Sequence, residues 1–304
     1  MTDKISIIVP IPPKERMGER KVEILESINR QKHKCIPVLI EGGTASENRN
    51  KGIERAKTEY VAFANMHSIL SDDWSEKVLD FFDKHPEIDI VGGPHLTPKE
   101  ETIFGRLSGY ALGSIFGAAG SSARYNIKKE MLDADERHLT SANLICRSKV
   151  TKKVKFNEDL YPGEDPNFIK ESIKKGFKVS YSPDIIVYQR RRPSWKGFAK
   201  QIFFYASARP KKESFTETLK MPAFLVPSFF VIYLVLLPYL FGINWLFVLP
   251  LGCYVVLSFC FSAYESLKNK DPLAIFFLPF LFLTIHLSYG VGFLYGVATK
   301  LIRN

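Results

Sequence analysis

Two long uncharged segments near the C-terminus constrain the fold of this chain more than any other feature. No Asp, Glu, Lys or Arg occurs from Met221 to Tyr264 or from Pro272 to Thr299. A helix that spans a bilayer needs about 20 apolar residues, so the sequence predicts three membrane helices, at about 221–241, 244–264 and 272–299. A buried helical hairpin in a soluble protein is the alternative, but soluble cores rarely contain apolar runs of this length.

Positive charge is concentrated just before the first uncharged segment. The chain has 304 residues and a formal net charge of +10, and Gln189 to Lys220 contains nine basic residues against two acidic ones. Basic residues beside a membrane helix mark the cytoplasmic side and attract anionic lipid headgroups. We therefore expect a multi-pass protein of the cell membrane, without a secretory signal and with its large N-terminal part in the cytoplasm. A basic cluster can also bind nucleic acid, but no nucleic-acid-binding motif accompanies this one, so no such partner is predicted.

The first two thirds of the chain alternate between short apolar runs and helical patterns. A helical pattern from Glu19 to Lys32 separates the first two runs and completes a βαβ unit. The runs predict four buried parallel strands: Ile5–Pro10, Val38–Ile40, Val61–Phe63 and Ile88–Val91. The sequence thus predicts an α/β domain over residues 1–210, followed by an all-α membrane region over residues 211–304. Ligands of such open sheets bind beyond the carboxyl ends of the strands.

Three stretches carry a resemblance to a known family. They are ISIIVP from residue 5, IEGGTASENRNKGIERAKTEYVAFANMHSILSDDW from residue 40, and LYPGEDPNF from residue 160. Together they resemble the family 2 glycosyltransferases of the GT-A fold over roughly residues 5–210. The resemblance implies a Rossmann-like, mostly parallel sheet. With about three helices after this domain, the chain is most similar to the ExoA-like and archaeal lipid-linked-oligosaccharide transferases of the family.

The resemblance places a nucleotide-sugar donor site at the edge of this sheet. In the family an acidic residue before a glycine turn, here Glu41, holds the nucleotide base or ribose, and an RNxGI helix follows, here from Arg49. The donor-binding candidates are Pro10, Glu41, Arg49, Asn50, Asn65, Arg191 and Arg192.

The family's metal-binding Asp-x-Asp motif is replaced here by Asn65-Met66-His67. The second aspartate normally binds a divalent cation that bridges the diphosphate, and a neutral imidazole can bind such an ion. His67 is therefore the candidate ligand for Mn²⁺ or Mg²⁺, with an ordinary polar role at a strand end as the alternative. Asn65 brings no charge, so metal affinity is expected to be weak or absent. Arg191 and Arg192 could then hold the diphosphate, although a basic face on the membrane is an equally good explanation of that segment.

Glu164 and Asp165 form the second chemical motif, at the predicted start of a helix. Carboxylates at such a position can simply cap the helix. In the family, however, an aspartate of this motif is the general base that accepts the proton of the acceptor hydroxyl. The resemblance therefore implies that Asp165 is the base and that Glu164 supports it.

With the membrane helices, the resemblance implies a membrane-anchored, inverting hexosyltransferase of polysaccharide or glycoprotein glycan biosynthesis. It would move a sugar from a nucleoside-diphosphate sugar to a hydroxyl of a polyprenyl- or dolichyl-linked glycan. Its expected partners are this donor, the lipid-linked acceptor, the membrane and other transferases of the same pathway. One alternative is transfer to polyprenyl phosphate, an anion that needs no base. Another is a catalytically silent family member that binds a glycolipid or a partner transferase, because Asn65 and His67 depart from the motif. A transporter would need polar residues inside the helices, which are nearly absent.

Overall fold

The computed structural model describes residues 5–11, 19–160, 162–212 and 222–303. The chain forms two compact units, one of residues 1–99 with 123–190 and one of residues 100–122 with 191–304. The domain limits expected from the sequence, 1–210 and 211–304, stay a prediction.

The first unit is built on a six-stranded mixed sheet. Its strands lie in the order β2-β1-β3-β7-β5-β8, and β7 alone of these six runs antiparallel to its neighbours. A second sheet has the order β4-β9-β6. The strands are β1 Ile5–Ile11, β2 Cys35–Glu41, β3 Tyr60–Ala64, β4 Ser68–Leu70, β5 Ile90–Gly92, β6 His95–Leu96, β7 Asn143–Arg147, β8 Val179–Tyr181 and β9 Val187–Gln189.

Helices cover this sheet and make up most of the second unit. Five of the helices below belong to the first unit (α1, α2, α3, α6 and α7), and the other six to the second. The helices are α1 Glu19–Asn29, α2 Ala45–Arg55, α3 Trp74–Lys84, α4 Ile103–Gly113, α5 Ile115–Ala118, α6 Ser148–Lys153, α7 Glu164–Lys174, α8 Trp195–Lys212, α9 Val226–Ile243, α10 Leu249–Asn269 and α11 Leu273–Arg303. The expected fold class is confirmed: a GT-A-like α/β sheet domain precedes a helical region that contains three long apolar helices.

The central strands are continuous apolar runs because both faces of the sheet are covered. All seven residues of β1 are buried, with Ile7 on one face and Ile8 on the other, each in a separate apolar core. Side chains alternate between the faces of a strand, so only a sheet buried on both faces makes both sets apolar. Full burial of each such side chain contributes about 1.5–3 kcal/mol.

Helix α2 is fixed at both of its ends next to the edge of the sheet. At its start the hydroxyl of Thr44 accepts the Glu47 N–H, and the Glu47 carboxylate accepts the Thr44 N–H, a reciprocal capping box. Further along, Gly52 lies so close to β1 that a Cβ there would come within 2.4 Å of Ile8 Cγ2. Glycine at this position lets α2 pack closely against β1. This close packing sets the distance between the sheet and the residues one helical turn earlier.

Three helices of the second unit are long and apolar enough to cross a membrane. They cover Pro222–Ile243, Trp245–Asn269 and Leu273–Ile302, within a few residues of the expected limits. Large apolar side chains such as Val235 and Leu267 are exposed on them. An exposed apolar surface of this extent supports association with a membrane.

Close contacts hold these helices together. Gly296 of α11 lies against α8, where a Cβ would come within 2.4 Å of the carbonyl oxygen of Ser207. His286 of α11 joins three segments: its Nε2 donates to the carbonyl oxygen of Phe116 (2.9 Å), and its Nδ1 lies 2.9 Å from the hydroxyl of Tyr254. Because a carbonyl can only accept, Nε2 carries a proton, and in the neutral imidazole Nδ1 then accepts from the Tyr254 hydroxyl.

Candidate active site

The candidate site is formed by α2, the residue that follows β3 and the start of α7. Arg49 of α2 lies 3.0 Å from Glu164 through Nη1 and Oε1, and 3.4 Å from Asp165 through the same nitrogen and Oδ1. Its other terminal nitrogen donates to the side-chain oxygen of Asn65 at 3.4 Å, the long limit for such a bond. Residues 49, 65 and 164–165 of the sequence are thus brought together at one edge of the sheet.

Glu164 is the buried member of the acidic pair. Its side chain is 9% exposed, and its Oε2 accepts the backbone N–H of Gly163 at 2.8 Å. Burial raises the pKa of this carboxyl above its ordinary value of 4.5; the nearby Asp165 carboxylate acts in the same direction, and Arg49 acts against both. Glu164 therefore holds a proton more readily than an exposed glutamate does.

Asp165 is the accessible member of the pair. Its side chain is 20% exposed, and its Oδ2 accepts the backbone N–H of Ser141 at 3.2 Å, while Oδ1 faces Arg49. A carboxylate held by one backbone N–H, beside a guanidinium and still partly open to solvent, can receive a proton from an incoming hydroxyl. The base role assigned to Asp165 and the supporting role assigned to Glu164 stay predictions, and the geometry is compatible with both.

The Asn65-Met66-His67 segment follows β3, where the resemblance placed it. The backbone N–H of Asn65 donates to Ser68 Oγ at 3.2 Å, and His67 is partly buried. Within the described ranges, no group of three or more His, Cys, Asp and Glu side chains could hold a metal ion. The described side chains therefore do not fit a cation held by the protein alone. The metal role of His67 stays a prediction.

Asn50, predicted to bind the donor, has its side chain engaged by the chain itself. Its amide nitrogen donates to the carbonyl oxygen of Phe156 (2.9 Å) and to Glu158 (2.8 Å), and its amide oxygen accepts the Phe156 N–H (2.9 Å). The Phe156 ring in turn lies 5.1 Å below the guanidinium of Arg49 and stacks on Phe168. Asn50 thus holds in place a wall of the site, and its role toward the donor stays a prediction.

The remaining donor candidates fall in both units. Pro10 is buried in β1, and Glu41 is the exposed last residue of β2. Arg191 and Arg192 belong to the second unit, where the Arg191 N–H donates to the Glu101 carboxylate at 3.0 Å. The roles of these four residues toward the donor stay predictions.

Asn48 was missed by sequence reasoning. Its side chain is fully buried, and its amide nitrogen donates to the carbonyl oxygens of Ile11 (3.2 Å) and Gly43 (3.3 Å), while its oxygen accepts the Gly43 N–H (3.0 Å). Asn48 therefore ties the end of β1 to the turn after β2, between the positions predicted to hold the nucleotide. Its place between Thr44 and Gly52, on the side of α2 that faces the sheet, was the signal that could have found it.

Residues 19–156 match the family described as Glycosyl transferase family 2. The chain is 23% identical over 190 residues to the minor teichoic acid biosynthesis protein GgaB of Bacillus subtilis (strain 168), covering 59% of this chain and 17% of that protein. It is 25% identical over 175 residues to the pre-mycofactocin glycosyltransferase of Mycobacterium tuberculosis (strain ATCC 25618 / H37Rv), covering 53% of this chain and 33% of that protein. The chain thus spans at most a third of the length of these relatives.

Solved structures also resemble the chain. S. aureus TarS 1–349 in complex with UDP-GlcNAc is 14% identical, with a TM-score of 0.48 over 99% of this chain and 92% of that one. The mannosyltransferase PcManGT from Pyrobaculum calidifontis in complex with GDP-Man and Mn²⁺ is 13% identical, with a TM-score of 0.49 over 67% of this chain and 61% of that one.

Proposed function

We propose that this protein, which carries a family 2 glycosyltransferase segment at residues 19–156, is a membrane-associated inverting glycosyltransferase. It moves a sugar from a nucleoside-diphosphate sugar to a hydroxyl of a lipid-linked glycan. The observation that carries the proposal is the position of Asp165: partly exposed, and fixed by Arg49 and by the Ser141 N–H at the edge of the sheet.

The proposed reaction is a direct displacement at the anomeric carbon. The acceptor hydroxyl oxygen attacks this carbon as Asp165 takes the hydroxyl proton, so a new glycosidic bond forms. The bond to the donor diphosphate breaks on the opposite side, and its electron pair leaves with the nucleoside diphosphate. Attack from the face opposite the leaving group inverts the configuration of the sugar. Arg49 and the Ser141 N–H keep the carboxylate oriented throughout.

On the donor side the proposal places the nucleotide beside Pro10, Glu41 and Asn65. The developing charge on the diphosphate requires cations. Those proposed are Arg191 and Arg192, the two arginines that the sequence predicts to bind the donor. Arginine binds phosphate oxygens through two parallel N–H groups and needs no metal to do so.

A lipid-linked acceptor is proposed because of the helical unit. Three long apolar helices support membrane association, and an anchored enzyme meets a lipid-borne substrate by diffusion in two dimensions. The basic segment from Gln189 to Lys220 favours a cytoplasmic catalytic unit on the cell membrane. We also propose that the chain is most similar to the ExoA-like and archaeal lipid-linked-oligosaccharide transferases. Other transferases of the same pathway are proposed as its partners.

Transfer to polyprenyl phosphate and a silent, glycolipid-binding protein are the alternatives. The test offers a lipid-linked glycan and a bare polyprenyl phosphate to membranes that carry either the wild type or Asp165→Asn. The proposal expects transfer to the glycan, lost in the variant. Transfer to the phosphate that survives in Asp165→Asn would instead favour the phosphate acceptor. Binding of UDP or GDP without transfer to either acceptor would favour the silent protein.

A further inference from the structure

Helix α8 lies alongside the C-terminal half of α11, and the two helices run in the same direction. Four contacts join residues that are 89 or 90 positions apart in the chain: Trp195 with Thr284, Phe203 with Gly292, Ser207 with Gly296, and Pro210 with Lys300. The contacts at the two ends are hydrogen bonds of 3.0 and 2.8 Å, and a Cβ on either glycine would come within 2.4 Å of the facing carbonyl oxygen. The constant offset means that α8 accompanies residues 284–300 turn by turn. If this part of α11 crossed a bilayer, α8 would have to cross it too.

Helix α8 is too polar to cross a bilayer. Its longest segment without a charged residue is residues 201–208, between Lys200 and Arg209. This segment extends only about 12 Å at about 1.5 Å per residue, whereas the hydrocarbon core of a bilayer is about 30 Å thick. Lys196 and Lys200 are also exposed on the helix, and an exposed charge inside hydrocarbon is costly. Residues 284–300 of α11 therefore stay outside the hydrocarbon core together with α8.

The first part of α11 is too short to cross without the second. Residues 273–283 precede the segment that contacts α8, and they extend only about 16 Å at about 1.5 Å per residue. This length is about half the thickness of the hydrocarbon core. The whole helix is long and apolar enough to cross, and its uncharged length predicted a third crossing. Its contacts with α8 are incompatible with that crossing.

The exposed surfaces of α8 and α11 suit the boundary between water and lipid. On α8, Lys196, Lys200 and Phe204 are exposed at four-residue spacing, and the Lys200 ammonium lies 5.6 Å from the centre of the Phe204 ring. On α11, the exposed residues beside α8 are apolar, such as Val291 and Ala298. Lysines reach the headgroups while their stems and the aromatic rings contact the acyl chains. Such a composition is typical of helices that lie in the plane of the interface.

We propose that α8 and α11 lie together in the interface of one leaflet, that Lys196 and Lys200 bind anionic phospholipid headgroups there, and that α11 does not cross the membrane. Helix α8 begins a few residues after Arg190, the last residue of the first unit, and this connection is too short to cross. The C-terminus thus stays on the side of the membrane from which the chain enters α8. Lys300 and the basic segment from Gln189 to Lys220 then share one side, in agreement with the positive-inside rule. This arrangement does not depend on the proposed function.

Spin labels measure the orientation of α11 directly. Val291→Cys and Ala298→Cys place labels seven residues apart on exposed positions of full-length protein in bilayers, after the four native cysteines are replaced by alanine. In a helix that crosses, the two labels would differ in depth by about 10 Å at about 1.5 Å per residue. We expect a difference of less than about a third of this value. Ile232→Cys and Tyr239→Cys, exposed at the same spacing on α9, form the control pair and should show the full difference.

A second measurement uses the chain with its native cysteines and an epitope at each end. The protein is placed in sealed vesicles of one orientation, and a protease is added outside. We expect the protease to remove both epitopes or neither, and to remove both once detergent opens the vesicles. Removal of one epitope alone from sealed vesicles would overturn the inference, as would labels at 291 and 298 that differ in depth by about 10 Å. Both readouts apply equally to a chain that transfers no sugar.

The anionic lipid is tested with a spin label at Phe204→Cys, beside Lys200, in phosphatidylcholine bilayers with or without phosphatidylglycerol. We expect phosphatidylglycerol to reduce the contact of this label with a water-soluble relaxation agent, and the pair Lys196→Glu and Lys200→Glu to abolish this effect. The control pair Lys152→Glu and Lys155→Glu reverses two exposed charges of the first unit and should leave the effect intact. Loss of the effect in both pairs, or no effect of phosphatidylglycerol in the labelled parent, would overturn the assignment of the lipid site.

Discussion

The backbone N–H of Ser141 lies 3.2 Å from Oδ2 of Asp165, and this contact fixes the carboxylate that we assign as the base. Asp165→Glu keeps the charge but moves the carboxylate outward by one methylene, so it breaks this contact. We expect turnover to fall about 100-fold, because a displacement of about 1 Å has this effect on a positioned group, with UDP or GDP affinity unchanged. Steady-state kinetics with Asp159→Glu, an exposed position, as the control checks this. Unchanged turnover in Asp165→Glu would remove Asp165 from the mechanism.

Asn50 is expected to act on stability. Asn50→Ala removes the two bonds between its amide and the Phe156 backbone and leaves that N–H and carbonyl without these partners. We expect a loss of about 1–3 kcal/mol in the free energy of unfolding, measured by chemical denaturation. Lys51→Ala, exposed on the same helix, should change stability by less than about 0.5 kcal/mol. Equal losses in the two variants would contradict a structural role for Asn50.

Glu164 should make stability depend on pH. Because burial, the largest cause, raises its pKa above 4.5, the folded protein keeps a proton that the unfolded chain has already released. The contribution of this carboxyl to stability is thus fully present below pH 4.5 and is lost as pH rises through the raised pKa. Glu164→Gln cannot titrate, so its melting temperature should fall less steeply from pH 4.5 upward than that of the wild type. Parallel curves would contradict the raised pKa, and the exposed Glu54→Gln serves as the control.

Helix packing in the second unit gives a matched pair of glycine variants. Gly296→Ala would place a Cβ within 2.4 Å of the Ser207 carbonyl oxygen, whereas Gly252→Ala meets nothing within 4 Å. We expect the first change to destabilise by about 1–3 kcal/mol and the second to be neutral or stabilising by about 0.5–1 kcal/mol. Thermal melting in detergent compares the two. Similar effects of the two substitutions would show that α8 and α11 do not pack closely.

Much of the fold could be predicted from local patterns. Uncharged length alone predicted the three apolar helices, since soluble cores rarely contain apolar runs of this length. The strands at Ile5–Pro10 and Val61–Phe63 were predicted because both faces of the sheet are buried, which makes every residue of such a strand apolar. The small second sheet was not predicted, because strands of two or three residues, such as His95–Leu96, carry no usable period.

The site could be predicted only in part. The turn after β2, the residues after β3 and the start of α7 each carry a local motif. No local motif indicates which residues contact one another across these segments. Arg49 contacts Glu164, 115 positions away in the chain, and the Ser141 N–H contacts Asp165, 24 positions away. Such pairings follow from how the elements pack. The sequence therefore indicated Arg49 as a donor residue, and its engagement with the acidic pair required the folded chain.

Transfer of labelled sugar by the wild-type protein tests the central claim most directly. Full-length protein in lipid bilayers is given a panel of radiolabelled UDP- and GDP-sugars and an extract of lipid-linked glycans, and the label is followed into the organic phase. Our account predicts that one donor delivers label to the lipid fraction with release of its nucleoside diphosphate, and that Asp165→Asn abolishes this while still binding the nucleotide. Label that never enters the lipid fraction with any donor, or that enters it equally well with Asp165→Asn, would contradict the account.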